Sequence, residues 1–119
     1  SFQPIPYIGI YGASKAFVLS FSRALNEELS KKGIGSMAVC PYWTRTRFFE
    51  RAEVADNAIV KHYAVMYEPE KIIQQAWKDL ARGKDVSIYG LVARSQAALC
   101  KLLPHKMVMK IWQKQQDLL

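Results

Sequence analysis

The chain has 119 residues, 50% of them hydrophobic and 12% aromatic, with 17 Lys and Arg against 10 Asp and Glu and a net charge of +7. That length holds one domain or part of one, and the apolar content excludes wholesale disorder. No apolar run is long enough for a transmembrane helix, the opening Ser1-Phe2-Gln3-Pro4 has no signal-peptide pattern, and two cysteines are too few for a disulfide framework. A cytoplasmic globular chain is expected.

Ser1 to Ile10, with Pro4 and Pro6 among apolar residues, reads as an ordered loop. Tyr11 to Lys32 is helical in composition, with Phe17, Phe21, Leu25 and Leu29 at helical spacing. Ala13, Ala16, Leu19 and Ala24 widen the apolar surface, so the first half of this helix is expected to be buried on more than one side. Gly33 suits the residue that ends it. Met37-Ala38-Val39-Cys40, stopped by Pro41, reads as a buried parallel strand with an inert core thiol at Cys40. Tyr42 to Phe49 is a loop, and Glu50 to Met66 is weakly amphipathic.

Pro69 opens a second helix, with Glu68 and Glu70 at the positive end of its dipole. Ile72, Ile73, Ala76, Trp77 and Leu80 form its expected inner face. Arg82-Gly83-Lys84 closes it, and Val86-Ser87-Ile88-Tyr89 reads as another short strand before Gly90. Leu91–Leu103 and Pro104–Leu119 are two further helices, broken at Pro104, with Cys100 facing a helix contact. The alternation is that of an α/β fold, a doubly wound parallel sheet. Two strands are few for such a sheet, so the chain reads as the C-terminal part of a larger domain.

Residues 86–119 carry Arg94, Lys101, Lys106, Lys110 and Lys114 against Asp117 alone. A solvated basic face on a packed helix is one reading, and contact with an anionic partner or membrane surface is the other. Nucleic acid is not expected, because no metal-ligand spacing, RNA-binding aromatic motif or arginine-dense helix is present. His62 and His105 have no ligand-type neighbours at metal spacing and read as surface residues.

Tyr11-Gly12-Ala13-Ser14-Lys15 is the main chemical candidate. Residues at i and i+4 share a helix face. A phenol is a poor acid or base near neutrality until a nearby cation stabilises its phenolate, and lysine supplies that cation. Small residues between them let a cofactor approach the backbone. Spacing alone decides nothing, since Tyr67 and Lys71 repeat it. That second pair reads as a helix start with solvated charges.

Context separates the two. Tyr11 to Leu29, Tyr-Gly-Ala-Ser-Lys-Ala-Phe-Val-Leu-Ser-Phe-Ser-Arg-Ala-Leu-Asn-Glu-Glu-Leu, closely resembles the active-site helix of the short-chain dehydrogenase/reductase family. Phe2-Gln3-Pro4-Ile5-Pro6 resembles the loop before it, and Val39 to Thr46 resembles the family's Pro-Gly-x-x-x-Thr element. The resemblance covers essentially the whole chain. It implies a Rossmann-like fold, with residues 1–90 as the C-terminal part of the NAD(P)-binding domain and 91–119 as a basic helical extension.

It also implies roles. Tyr11 would be the general acid in carbonyl reduction, or the base in alcohol oxidation. Lys15 would lower the phenol's pKa and hold the nicotinamide ribose. Thr46 would contact the nicotinamide amide, with Pro41 and Trp43 bordering the cofactor, NAD or NADP. The irregular segment holding Phe48 and Phe49 would cover the substrate; plain packing competes for these and for Tyr63 and Tyr67. Two departures stand out. Tyr42 occupies the family's Gly position, and the family's catalytic Ser falls ahead of residue 1, a role not assigned to Ser1. Gly33-Ile34-Gly35 follows a helix and precedes a strand, the reverse of a pyrophosphate-binding turn, so that site is missing from the chain.

Two functions follow. One is an NAD(P)-dependent oxidoreductase interconverting a hydrophobic ketone, such as a fatty-acyl or steroid-like one, and its alcohol. A homodimer through the Tyr11 helix goes with it. The other is a noncatalytic membrane- or partner-binding module acting through the basic C-terminal helices.

Overall fold

The computed structural model describes residues 2–46 and 65–117. Helix α1 spans Gly9–Ser30. It starts ahead of Tyr11 because Tyr7, at a left-handed φ of 69°, turns the approach loop into the helix axis. Its end is a two-bond stop. Gly33 N–H donates to the Ser30 carbonyl at 3.0 Å and Ile34 N–H to that of Leu29 at 3.2 Å, with Gly33 at φ 73°. Gly33 therefore takes the role its position suggested.

The strands are shorter than their apolar runs. β1 is Ala38–Val39 and β2 is Val86–Ser87, paired in parallel with Ala38 opposite Val86. Ala38 N–H donates to the Asp85 carbonyl and Cys40 N–H to that of Ser87, both at 2.9 Å. Val39 is exposed and Cys40 half-buried, so β1 is not the fully buried strand expected.

Helix α2, Pro69–Ala81, crosses between them with Pro69 in its first turn. Gly83, at φ 71°, ends it in the same two-bond manner as Gly33. Helices α3, Leu91–Leu102, and α4, His105–Gln115, follow, separated at Pro104 as expected.

Layering comes from side-chain alternation along β2. The Ser87 hydroxyl faces α2 and donates to Asp79 at 2.8 Å. Val86 and Ile88 line a cleft of about 240 Å³ at the end of the sheet, together with Arg23 of α1, Asp79 of α2, Lys84, and Arg94 and Lys101 of α3. The described residues thus form a two-stranded parallel sheet with α1 packed on β1 and α2 on β2, a partial α/β unit.

Two inner faces differ from expectation. On α2 only Ile72 of the apolar stripe is buried, while Ile73 and Trp77 are 55% and 69% exposed. The short sheet covers a single row of the helix, and Asp79 occupies the row that meets β2. On α1, Gly12 alone is buried, and Phe17 and Phe21 stack on each other, centroids 6.0 Å apart, on an exposed face. No described element reaches that face.

Candidate active site

Tyr11 and Lys15 lie in the first turns of α1 on one face. The Lys15 ammonium stands 5.5 Å from the centroid of the Tyr11 ring. Tyr11 is 50% exposed. The turn is secured from below: Ser14 Oγ donates to the Tyr11 carbonyl at 2.8 Å, and Ile5 of the approach loop packs on buried Gly12. A Cβ at Gly12 would only touch Ile5, at 3.5 Å. The loop is tied down in turn, since the Cys100 thiol of α3 donates to Gln3 Oε1 at 2.9 Å. Burial pushes that thiol's pKa up.

The second part of the site is the loop after β1. α1 packs on β1 and joins it through the short turn at Gly33, so the two run in opposite directions. The carboxyl end of β1 therefore points back along α1 toward its start, and open parallel sheets bind ligands beyond the carboxyl ends of their strands. Pro41 and Thr46 are exposed there, and Trp43 is half-buried. Thr44 Oγ1 donates to the Tyr42 carbonyl at 2.8 Å, and the Tyr42 and Trp43 rings meet edge-on at 6.0 Å. Burial raises the Tyr42 pKa, outweighing the hydrogen bond with Trp43. Phe48 and Phe49 lie outside the described residues, as do His62 and Tyr63.

One feature was left open by the sequence and another escaped it. Tyr67 is no solvated helix start: it is half-buried, edge-on to Tyr42 and Tyr89, while Lys71 is exposed. Asp79, 1% exposed, accepts from Lys84 Nζ at 2.7 Å, Ser87 Oγ at 2.8 Å and Gln75 Nε2 at 3.0 Å. The ammonium of Lys84 holds its carboxyl below the usual value, against the opposing effect of burial. An acid eight residues before a serine was the signal, legible only once α2 and β2 are adjacent.

Residues 1–57 match the short chain dehydrogenase family, and the chain belongs to that family. It is 33% identical over 109 residues to very-long-chain 3-oxoacyl-CoA reductase of Bos taurus, covering 89% of this chain and 32% of that protein. The Homo sapiens reductase of the same name is 29% identical over 108 residues, 91% of this chain and 32% of that protein. A 44-residue stretch, 37% of this chain and 14% of the relative, is 48% identical to 17-beta-hydroxysteroid dehydrogenase type 3 of Rattus norvegicus. The chain spans about a third of the length of the two reductases. No solved structure gives a significant match.

Proposed function

We propose that the chain carries the proton-transfer part of an NAD(P)-dependent oxidoreductase that interconverts a ketone and a secondary alcohol. One observation carries the reading: the Lys15 ammonium beside an exposed Tyr11 ring near the start of α1, toward which the carboxyl end of β1 points. The residues present fit the nicotinamide side of a dinucleotide. Lys15, Tyr11 and Thr46 offer an ammonium and hydroxyls on that side, with Pro41 and Trp43 beside them. Gly33 and Gly35 follow the end of α1 and give no phosphate-receiving helix start.

The dinucleotide, when bound, supplies or accepts the hydride. In reduction the Tyr11 hydroxyl gives its proton to the carbonyl oxygen and regains one from solvent; in oxidation the phenolate takes the alcohol proton. Lys15 stabilises the phenolate and hydrogen-bonds the ribose. The substrate class is a hydrophobic 3-oxoacyl thioester or steroid-like ketone, supported by the names of the relatives. Phe48 and Phe49 are its proposed neighbours.

Two assembly features go with this reading. The stacked Phe17 and Phe21 on the open face of α1 support a homodimer through that helix. Exposed Leu102, Met107 and Ile111 beside Lys106 and Lys110 support peripheral contact of residues 91–119 with an anionic membrane. The deciding experiment is dinucleotide-coupled turnover of a long-chain 3-oxoacyl-CoA by the complete protein, compared with Tyr11→Phe. Equal turnover by both would overturn the assignment.

A further inference from the structure

The chain leaves the carboxyl edge of β1 at Trp43–Thr46 and returns to it at Val65–Glu68, and these two stretches are bound together. Tyr67 N–H donates to the Trp43 carbonyl at 2.9 Å, and the Tyr67 carbonyl accepts from Arg45 N–H at 3.0 Å, forming an isolated parallel bridge between Thr44 and Tyr67. Arg45 Nε reaches Glu68 Oε1 at 2.9 Å, but both side chains are largely exposed and the pair is screened. Two backbone bonds and one screened surface ion pair are among the contacts that join these stretches into a neck.

The Tyr67 ring adds a buried-side contact to the neck. It meets Tyr89, at the exit of β2, edge-on at 5.2 Å and 88°, and Tyr42 at 6.4 Å and 62°. Tyr42 in turn meets Trp43. These are favourable aromatic geometries, and they link the end of β2 to the loop after β1 through one ring. The ring's seat is Gly90, the residue that begins α3. A Cβ at Gly90 would run into the ring and hydroxyl of Tyr67, and Gly90 also holds φ at 92°, where a side chain is strained. Tyr42 stands where the resembling family has Gly, so the partner that Tyr67 grips is a feature of this chain.

We infer that Tyr67 is a positioning residue. Its ring, seated on the bare Cα of Gly90, clamps the neck and thereby sets where Trp43 and Thr46 stand along the cofactor edge. The inference rests on the oxidoreductase reading above. The ring acts through the loop and touches no reacting atom, so removing its hydroxyl costs little while removing the ring, or its seat, costs a great deal.

The test uses the complete protein with Tyr67→Phe, Tyr67→Ala and Gly90→Ala, the last keeping Tyr67 but denying it its seat. Two readouts are taken: amide exchange of peptides covering 42–46 and 65–69, and kcat, KM and the NADPH Kd in ketone reduction. Tyr67→Ala and Gly90→Ala should speed exchange in both peptides, leaving α4 unchanged. They should weaken NADPH binding and lower kcat about 10-fold, in line with the cost of small misplacements around a reacting centre. Tyr67→Phe should match the parent in both. Unchanged exchange would show that the ring does not hold the neck. Faster exchange with kcat, KM and Kd within about twofold of the parent would make the clamp purely structural and overturn its positioning role. A parent that reduces ketones with Tyr11 dependence, yet is indifferent to Tyr67→Ala, overturns this inference alone; a parent without such turnover overturns the functional reading and the positioning role together.

Discussion

The Lys15 ammonium sits over the Tyr11 ring, 5.5 Å from its centroid and one helical turn further along α1. The pair is held by the helix itself and does not depend on any long-range contact. In the complete protein Tyr11→Phe should therefore remove the proton donor and leave the backbone in place. A loss of about 10²–10⁴-fold in kcat is expected, with the Kd for NADPH nearly unchanged. Lys15→Ala should lower kcat and weaken dinucleotide binding together, because one ammonium serves both. Steady-state kinetics paired with calorimetry separates the two patterns.

The buried carboxylate of Asp79 ties the end of α2 to β2 through Ser87 and to the intervening turn through Lys84, and also accepts from Gln75 within α2. Asp79→Ala leaves the Ser87 hydroxyl unpaired in a buried position, and a destabilisation of about 2 kcal/mol is expected. The sign of its pH dependence follows from its lowered pKa. The unfolded state binds the proton first, so this stabilisation is complete above the unfolded value of about 4. It is lost as pH falls from there through the lower folded value. Urea midpoints measured from pH 6 down to pH 3 should converge for parent and Asp79→Ala.

Local signals were legible in the sequence wherever one residue decides. Gly33 and Gly83 end helices because each takes a positive φ, and Pro69 and Pro104 mark helix starts because a proline lacks the N–H that an interior position needs. Tyr11 and Lys15 were legible because their relationship lies within one helix. What the sequence could not show depends on which elements meet. Trp77 and Phe17 read as core by periodicity, yet periodicity identifies an apolar face without saying what covers it. The sequence left the packing of Tyr67 open and gave no sign of the burial of Asp79, because their partners, Tyr89 with Gly90 and Ser87, become neighbours only in the fold.

Cys100 and Cys40 should differ in reactivity. Cys100 is buried, bonded to Gln3, and has its thiol pKa raised by burial, whereas Cys40 is half-buried at the end of β1. The thiolate is the reactive form, so Cys100 should be alkylated more slowly. Iodoacetamide at pH 8, followed by peptide mass spectrometry, should show Cys40 modified first, with the difference abolished in urea. The folded chain favours the neutral thiol of Cys100, so this contribution to stability is full below the unfolded thiol value and fades as pH rises through the higher folded one.

Helix α4 divides its apolar residues between a buried and an exposed face. Val108 and Trp112 are buried, both 6% exposed, and line a small cavity of about 60 Å³ with Cys100 and Leu103. Met107 and Ile111 face outward beside Lys106 and Lys110, and Leu118 lies outside the described residues. Trp112 is therefore a packing residue rather than an interfacial anchor, and the two faces should answer to different measurements. Trp112→Ala removes a buried indole and should cost about 3 kcal/mol or more, lowering the unfolding midpoint. Reversing Lys106, Lys110 and Lys114 to Glu touches only exposed positions and should shift stability by about 0.5 kcal/mol per site at most. If the outward face meets a membrane, that same triple variant should abolish co-sedimentation of the complete protein with anionic vesicles. Parent binding should weaken steeply with salt, because each lysine near an anionic surface contributes about 1 kcal/mol that ions screen. Equal sedimentation of parent and triple variant, at low salt as at high, would remove the membrane role from residues 91–119 and leave α4 as a packed brace against α3.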